Sequence, residues 1–417
     1  MSKQSLSVDE TRLSLARRIV EHIRDSSSDL ATAPMRNHPS VYTDPVRHAA
    51  ERQVLFRETP LVLCLSSDLP EAGSFRVSDE TGVPIVIVRG ADGNVRAFLN
   101  ICLHRGARLV RQQSGKTKRF TCWFHGWTFD NLGHFNGAPE QERFAGCLED
   151  RRHLVELPAA ERCGLVFVRP TPGAPLDLDA HLGPIIPELE ILQIGKAVRV
   201  EEQTMSARTN WKYALDTYGE GYHAVALHRE SLGPLFRSDI TIYDAFGLHF
   251  RIQFVERSMR DWLELPEEQW EATERLGGIH YIFPNTVIFV GKVKPGKKFL
   301  QIFRHFPGEP VDAMTTYHMV AAPTGVFSDE DRRDMVKALK DTRFVIESED
   351  YVAAAEGWAN LAHLPADRSL VYGRQEMALQ HMHRTFADRI GMPLPPCTGQ
   401  IAQDGHQSDV TRSSVCS

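Results

Sequence analysis

Two short stretches of this chain carry metal-binding side chains at a spacing that narrows the chemistry sharply. Cys102-Leu103-His104 is followed, after 17 intervening residues, by Cys122-Trp123-Phe124-His125. Each stretch offers one thiolate and one imidazole. Two thiolates on one iron and two imidazoles on its neighbour is the mixed ligation of a Rieske-type [2Fe–2S] centre. The same four residues could close a structural zinc site. Such sites usually pair like with like, C-x2–4-C and then H-x3–5-H, whereas here Cys-x-His meets Cys-x2-His. Gly106 and Gly126 follow the two ligand clusters, with Trp127 just beyond. They would let two loops close tightly over a cluster.

A second set lies downstream. Asn210-Trp211-Lys212 opens a stretch that contains Asp216, Glu220, His223 and His228. Glu220 and His223 are three apart and share a helix face. His223 and His228 are five apart, roughly 140° around an ideal helix. Both reach one ion only if the helix ends or distorts before His228. Taken alone, His-x4-His is a weak signal, and two surface histidines are its default reading. Its weight comes from the first set, because a redox cluster needs somewhere to send its electrons. A mononuclear iron held by two His and one carboxylate, with open positions for oxygen, is such a destination. A carboxylate for it lies farther along, in the run from Phe344 to Ala355. Helical spacing groups Asp350 with Ile346, Ala353, Ala354 and Gly357, a small apolar face on which a buried carboxylate needs a partner. Glu347 and Glu349 compete for the role, and a solvated acidic helix face is the plain alternative.

The elements that must carry these residues can be read coarsely. Ser7 and Glu10 form an S-x-x-E capping box ahead of Leu15, Ala16, Ile19, Val20 and Ile23, an amphipathic helical stripe. From about residue 42 to 169 the texture becomes short β runs. Residues 85–88, an Asp92-Gly93 turn and residues 95–101 predict a hairpin that delivers Cys102. Residues 120–129, a turn at Asn131-Leu132-Gly133 and residues 164–168 continue the pattern. The Pro170-to-Pro175 stretch, with three prolines, is a natural linker. Beyond it, strands at 279–290, 299–306 and 315–320 mix with helices at both ends. A small β domain followed by a larger α+β domain is expected. Residues 398–417 are polar and aperiodic, an expected disordered tail.

Bulk properties set the outer bounds. With 417 residues the chain is too long for one ordinary core, and two domains are expected. A composition of 42% hydrophobic and 24% charged residues is that of a globular protein. A net charge of −6 gives no reason to expect nucleic acid or an anionic membrane as partner. Seven cysteines form no regular frame. Cys64, Cys147 and Cys163, in or near apolar runs, are expected as buried free thiols. An odd, unpaired set suits a reducing cytoplasm. The polar N-terminus and the lack of an 18-residue apolar run support neither signal peptide nor membrane span. Arg105, Arg108, Arg111, Lys116, Lys118 and Arg119 put six cations and no acid between the two ligand loops. That is either a solvated loop or a docking patch for an acidic ferredoxin or reductase. Tyr281, Ile282, Phe283, Val287, Phe289 and Phe303 suit an apolar or aromatic guest, although such a stripe on strands is more often plain core packing. Arg251 and Arg304 are candidates to meet a carboxylate. His381 and His383, in the last helix, are expected at the surface.

Together the two constellations resemble the catalytic α subunit of the Rieske non-heme iron ring-hydroxylating oxygenases, from about residue 40 to 390. The resemblance implies an α+β chain. It would have an N-terminal all-β Rieske [2Fe–2S] domain at 41–175 and a helix-grip-like (START/SRPBCC) antiparallel-sheet catalytic domain with helices at 176–395. Residues 1–40 would pack on the catalytic domain as a helical segment, and 396–417 would be the tail. It further implies that Cys102 and Cys122 hold one cluster iron, His104 and His125 the other, and that His223, His228 and Asp350 hold a mononuclear Fe(II). Glu220 falls where the family places a bridging carboxylate, the link from the iron site to the Rieske histidine of a neighbouring subunit. The implied activity is that of a terminal oxygenase component. It would use O2 and electrons from NAD(P)H, through a reductase and/or ferredoxin, to mono- or dihydroxylate an aromatic or similar apolar substrate. The implied assembly is a homotrimer or a multiple of it, with or without a small β subunit. Departures exist. Glu220 stands where many members have Asp and is similar to the choline, betaine and carnitine monooxygenases, so N-demethylation or monooxygenation of a quaternary ammonium compound is the alternative. Asp216 replaces an Asn common in naphthalene-type enzymes. Ala107 and Phe124 occupy the positions at which respiratory Rieske proteins carry two bracing cysteines.

Metal analysis separates these readings. The purified protein is expected to hold three irons per chain; two would indicate a pure electron carrier, and zinc in a colourless preparation an interaction protein.

Overall fold

The computed structural model describes residues 8–365 and 367–397. Helix α1 (Val8–Asp25) opens the described chain. The stripe read from the sequence is its buried face: Leu15, Ala16, Ile19, Val20 and Ile23 pack against Ile240, Ile242, Val255 and Trp262. Ser7 of the expected capping box, and the expected tail at 398–417, lie outside the described residues.

The first half of the chain builds three small antiparallel sheets. The central one has five strands in the order Glu156–Leu157, Val95–Leu99, Ile85–Arg89, Ser74–Ser78, Ser114–Lys116. Ile85–Arg89 and Val95–Leu99 form the hairpin expected from the Asp92-Gly93 signal, closed by the Gly93 N–H donating to Gly90 O at 3.0 Å. Ile85–Arg89 is β-branched from Ile85 to Val88 and buried on both faces, as suits a central strand. Arg119–Thr121, Thr128–Asp130 and Phe135–Gly137 make a second sheet. Between the two sheets Val86, Val88, Phe98, Trp127 and Phe129 form a core that also contains Cys102 and Cys122. A third sheet, Ala159–Arg162, Leu165–Val168 and Leu61–Leu65, faces the other way. Its Val62, Leu65, Leu165 and Phe167 pack on Ile282, Ile288, Ile302 and Met319 of the second half.

The second half is built on one seven-stranded antiparallel sheet: β1 (Ala197–Arg208), β2 (Phe236–Phe246), β3 (His249–Glu256), β4 (Ile279–Ile282), β5 (Thr286–Lys294), β6 (Lys297–Pro307) and β7 (Ala313–Pro323). The spatial order is β1-β7-β6-β5-β4-β3-β2. Successive side chains on a strand point to opposite faces. Val287 and Phe303 therefore face the helices α3 (Tyr351–Leu361) and α4 (Met377–Ile390), where Tyr351, Leu379, Met382 and Phe386 meet them. Ile288, Leu300 and Ile302 face outward, toward the third small sheet. Helix α2 (Asp329–Val345) precedes α3 and covers the end of the inner face through Met335 and Leu339. It starts at a capping box in which Ser328 and Asp331 exchange bonds with each other's backbone N–H.

Several expectations fail here for one physical reason: a polar residue's partner can come from anywhere in the fold. Arg304 is fully buried; its guanidinium donates to Leu63 O at 2.8 Å, to Glu80 Oε1 at 3.0 Å and to Glu202 Oε1 at 2.8 Å. It ties the first domain to the sheet. Arg251 is held by Glu188 and Asp244, both at 2.6 Å. Neither arginine is available to a substrate carboxylate. His383 is buried, with Nε2 3.0 Å from Tyr42 OH and 3.1 Å from both oxygens of Asp216. His381 Nδ1 lies 2.7 Å from Tyr243 OH. His383 points inward, where α4 packs on the Pro45–Val54 helix and the Leu370–Tyr372 strand, and His381 is half-buried. Among the three cysteines expected inside, Cys64 is buried, Cys163 is half-buried and Cys147 is exposed, on the loop beyond the second small sheet.

Arg304→Met should strand the Glu80 carboxylate, which burial already pushes above its ordinary range. The expected cost is about 3–5 kcal/mol, read as a lower urea midpoint at unchanged slope.

Candidate metal centres

The two ligand loops of the first domain are built alike. In one, Cys102 N–H donates to Ala107 O at 2.7 Å and Gly106 N–H to Cys102 O at 2.9 Å. In the other, Cys122 N–H donates to Trp127 O at 2.8 Å and Gly126 N–H to Cys122 O at 2.9 Å. Each loop turns at its glycine, with φ of 76° at Gly106 and 72° at Gly126, a region that an L side chain rarely adopts. Both thiols are buried. The backbone N–H groups of His104 and Arg105 point at Cys102 Sγ, and the Cys122 thiol shares a hydrogen bond with it. Burial nevertheless pushes the Cys102 thiol up to about 11. Two thiolates side by side in this place require a cation to hold them.

The histidines complete the set. The His104 ring stacks on Trp127, with centroids 4.9 Å apart and planes 4° from parallel, and its centroid is 4.6 Å from that of His125. His104 Nδ1 is buried and has no hydrogen-bond partner. A buried ring nitrogen without a partner is costly, and a metal ion supplies what it lacks. The residues fit a two-iron cluster better than zinc. Among the described residues, His223, His228 and Asp350 are the one group of three or more His, Cys, Asp or Glu whose donor atoms all lie within 4.8 Å. A single tetrahedral zinc, with bonds of about 2.0–2.3 Å, would draw Cys102, His104, Cys122 and His125 closer together than that.

The second set converges on a point. His223 Nε2 and His228 Nε2 are 3.1 Å apart, and Asp350 Oδ1 is 3.6 Å from the first and 3.5 Å from the second. Bonds of about 2.0–2.2 Å from one ion to each donor would span such a triangle. The local breaks that this requires are present on both segments. His223 sits in a single 3-10 turn, Tyr222–Val225, after which the chain coils through Gly233, whose N–H donates to His228 O at 2.7 Å. The helix thus ends before His228. Asp350 closes a π-helical turn, Ile346–Asp350, inserted between α2 and α3. Such a widened turn re-aims one side chain and recurs at functional sites.

Behind the donors stand two more carboxylates. Glu220 accepts from His223 Nδ1 at 2.5 Å and from the His223 backbone N–H at 3.1 Å. It caps the turn rather than sharing a helix face with His223. Glu349 accepts from His228 Nδ1 at 2.6 Å and from Ser231 Oγ at 2.9 Å. Burial works to lower the affinity of His228 for a proton, but Asp350 and then Glu349 outweigh it and raise the imidazole to about 8. Three carboxylates around two imidazoles make a site that favours a cation. Glu347, the other competitor, is occupied by Arg343 Nε at 2.8 Å on the helix surface. The partnership of Glu349 with His228 was not visible in the sequence, where Glu349 read as a rival ligand. Of the six-cation loop, Arg108 pairs with Asp79 and Lys116 with Glu71, each at 2.6 Å, while Arg105 and Arg111 lie over the exposed rings of Phe124 and Trp123.

A small β domain that presents two Cys/His loops, followed by a helix-covered antiparallel sheet with a two-histidine, one-carboxylate cluster, defines a protein with two metal stations. Comparison with known families agrees. Residues 59–157 match the Rieske [2Fe–2S] domain and residues 194–392 the ring hydroxylating alpha subunit (catalytic domain). The chain belongs to the Rieske ring-hydroxylating oxygenase α-subunit family, and carries both the [2Fe–2S] domain and the catalytic domain for a mononuclear iron. It is 32% identical over 236 residues to the terephthalate 1,2-dioxygenase terminal oxygenase component subunit alpha 2 of Comamonas sp, covering 53% of this chain and 57% of that one. The chain spans about half the length of the first curated relatives it matches. It is 26% identical to the carnitine monooxygenase oxygenase subunit of Escherichia coli (strain K12) over 83% of this chain and 91% of that one. The fold is shared with a quaternary ammonium Rieske monooxygenase in complex with L-carnitine (TM-score 0.71, 20% identity, 87% and 96% covered). It is shared equally with naphthalene 1,2-dioxygenase from Rhodococcus sp. bound to indole (TM-score 0.68, 18% identity, 91% and 98% covered).

Removing the carboxylate behind His228 by Glu349→Gln should weaken Fe(II) at the second site about 10–100-fold, measured by competition with a chelator. The reduced-cluster EPR signal should stay unchanged.

Proposed function

We propose that this protein is the terminal oxygenase component of a multicomponent oxygenase, with Cys102, Cys122, His104 and His125 holding the cluster and His223, His228 and Asp350 holding the catalytic iron. The observation that carries the reading is the 3.1–3.6 Å triangle of two imidazole nitrogens and one carboxylate oxygen, backed by Glu220 and Glu349. When bound, the two groups supply one-electron storage and a ferrous ion with open positions for O2. The chain's own residues do the rest. Glu220 and Glu349 fix the ring orientation of His223 and His228 through their Nδ1–H groups and raise the basicity of Nε2. Tyr218, Phe250, Tyr281 and Phe303 pack together on the inner side, an apolar wall that would keep water from the iron. Two buried histidines there, His305 and His318, are pushed down by burial to about 3 and stay neutral. That wall suits an aromatic or similarly apolar substrate.

Two exposed patches support a homotrimer or a multiple of it. Trp123 and Phe124 project from the cluster loop, 60% and 47% exposed, with Arg105 and Arg111 above them. Tyr222, Val225, Leu232 and Leu235 are exposed around the Glu220 turn. An apolar, basic tip set against the apolar rim of the Glu220 turn on another copy would be a head-to-tail contact, which forms a ring where the rotation closes. In a homotrimer of this kind the cluster of one subunit would lie against Glu220 of the next. A reductase or ferredoxin would supply electrons, and no helix among the described residues is long and apolar enough to cross a membrane.

A second reading has its own support. Glu220, rather than Asp, together with the near full-length match to the carnitine monooxygenase subunit, favours a quaternary ammonium substrate. Oxygen uptake with a panel of aromatic and trimethylammonium compounds, and mass spectrometry of the products, decides between them. Hydroxylated arenes are expected; demethylated or cleaved amines with inert arenes would select the second reading. In the same assay, Glu220→Gln should keep both metals yet lose about 10–100-fold in turnover. Unimpaired product formation would remove Glu220 from the electron route.

A further inference from the structure

We propose a second small-molecule site, for a compact apolar monocarboxylate, on the outer face of the seven-stranded sheet, away from the iron triad. A cavity of about 320 Å3 opens there, walled by Ile191, Leu276, Val290, Leu300 and Phe327 and lined also by Arg12 and Lys298. Strand pleating puts its Val290, Lys298 and Leu300 on the outer face, while Phe299 and Phe327 close it at the end of the strands. Val290 and Leu300 alternate with Phe289 and Phe303, whose side chains pack toward the iron-bearing helices.

Arg12, on α1, is 3% exposed, yet its Nη1 has no hydrogen-bond partner. A guanidinium is always charged and presents a planar fork matched to a carboxylate. The acid whose field bears on it most, Glu188, already accepts from Arg251 Nη1 at 2.6 Å and lies 3.5 Å from His280 Nε2. Arg251 adds a like charge beside Arg12. Lys298 donates to Leu276 O at 3.3 Å, which brings a second cation to the same wall. A buried cation with an unused donor is costly to keep, and a charge-assisted bond from Nη1 to a carboxylate would answer it. The apolar walls would take the body of that acid. At about 320 Å3 the cavity lies near the lower end of small-molecule sites, about 300–1,000 Å3. One ring or a short branched chain fits; a long acyl chain does not.

The intact protein is titrated with para-fluorobenzoate, followed by fluorine NMR, with para-fluorobenzyl alcohol as the neutral isostere. Saturable binding of the acid is expected, with the alcohol weaker by about tenfold or more. Arg12→Gln should weaken the acid by a similar factor. Val290→Phe, which fills the cavity and leaves Arg12 in place, should abolish binding without changing iron content. Asp350→Ala, which disables the iron site, should bind the acid as the parent does. Equal binding of acid and alcohol, or full binding by Val290→Phe, would overturn the site. So would binding that is lost in Asp350→Ala and kept in Arg12→Gln, which would put the acid at the iron. If Arg12→Gln does not fold, Val290→Phe and Asp350→Ala decide alone.

Discussion

Donor atoms that repel one another are held together in this fold, and most of its local irregularity follows from that. Two imidazole nitrogens and a carboxylate oxygen sit within 3.6 Å of each other, with two further carboxylates behind them. Packed without a cation, such a group loses hydration and gains mutual repulsion. Backbone that an ordinary helix would arrange differently is bent to make the convergence. A 3-10 turn and a coil bring His228 back toward His223, and a π-helical turn swings Asp350 onto the same point. The cluster loops solve the same problem in the first domain with two left-handed glycines and a pair of buried thiols.

Rigid surroundings keep these irregular segments in place. The inner face of the sheet presents Phe250, Tyr281 and Phe303 to the helix that bears Asp350, while Tyr351, the next residue, bonds Thr316 of β7 at 2.6 Å. On the outer face, the third small sheet of the first domain packs through Val62, Leu165 and Phe167, and Arg304 crosses the boundary to Glu80. A buried pair such as Arg304 with Glu80 and Glu202 adds little net stability over a hydrophobic contact, but it is intolerant of a lost partner. It therefore fixes how the two domains meet.

The balance of polar and apolar groups separates the two faces of the sheet chemically. The inner face holds neutral histidines and aromatic rings beside the metal donors. The outer face holds Arg12, Arg251, His280 and Glu188, a charged group in which Arg12 Nη1 and Arg251 Nε are left without a hydrogen-bond partner. The same strands carry both because alternate residues point in opposite directions. Two chemically distinct sites on one sheet need no additional element.

Local pattern sufficed for much of this protein. The Cys-x-His and Cys-x2-His pair, the Asp92-Gly93 hairpin, the α1 stripe and the division into a β domain and an α+β domain are all short-range signals, so they were legible before folding was considered. The convergence of Glu220, His223, His228 and Asp350 was legible only in outline. Spacing showed that the helix had to break before His228, and the break is there, but nothing local announced the π-helical turn at Asp350. Tertiary structure alone decided the roles that depend on distant partners. Glu349 supports His228 from 121 residues away. Arg251 and Arg304 are consumed by ion pairs, His383 is buried against Tyr42 and Asp216, and His381 is half-buried beside Tyr243. The physical reason is the same in each case. Hydrophobic periodicity is written along the chain at intervals of two to four residues, whereas a polar group is satisfied by whichever partner the completed fold brings within about 3 Å.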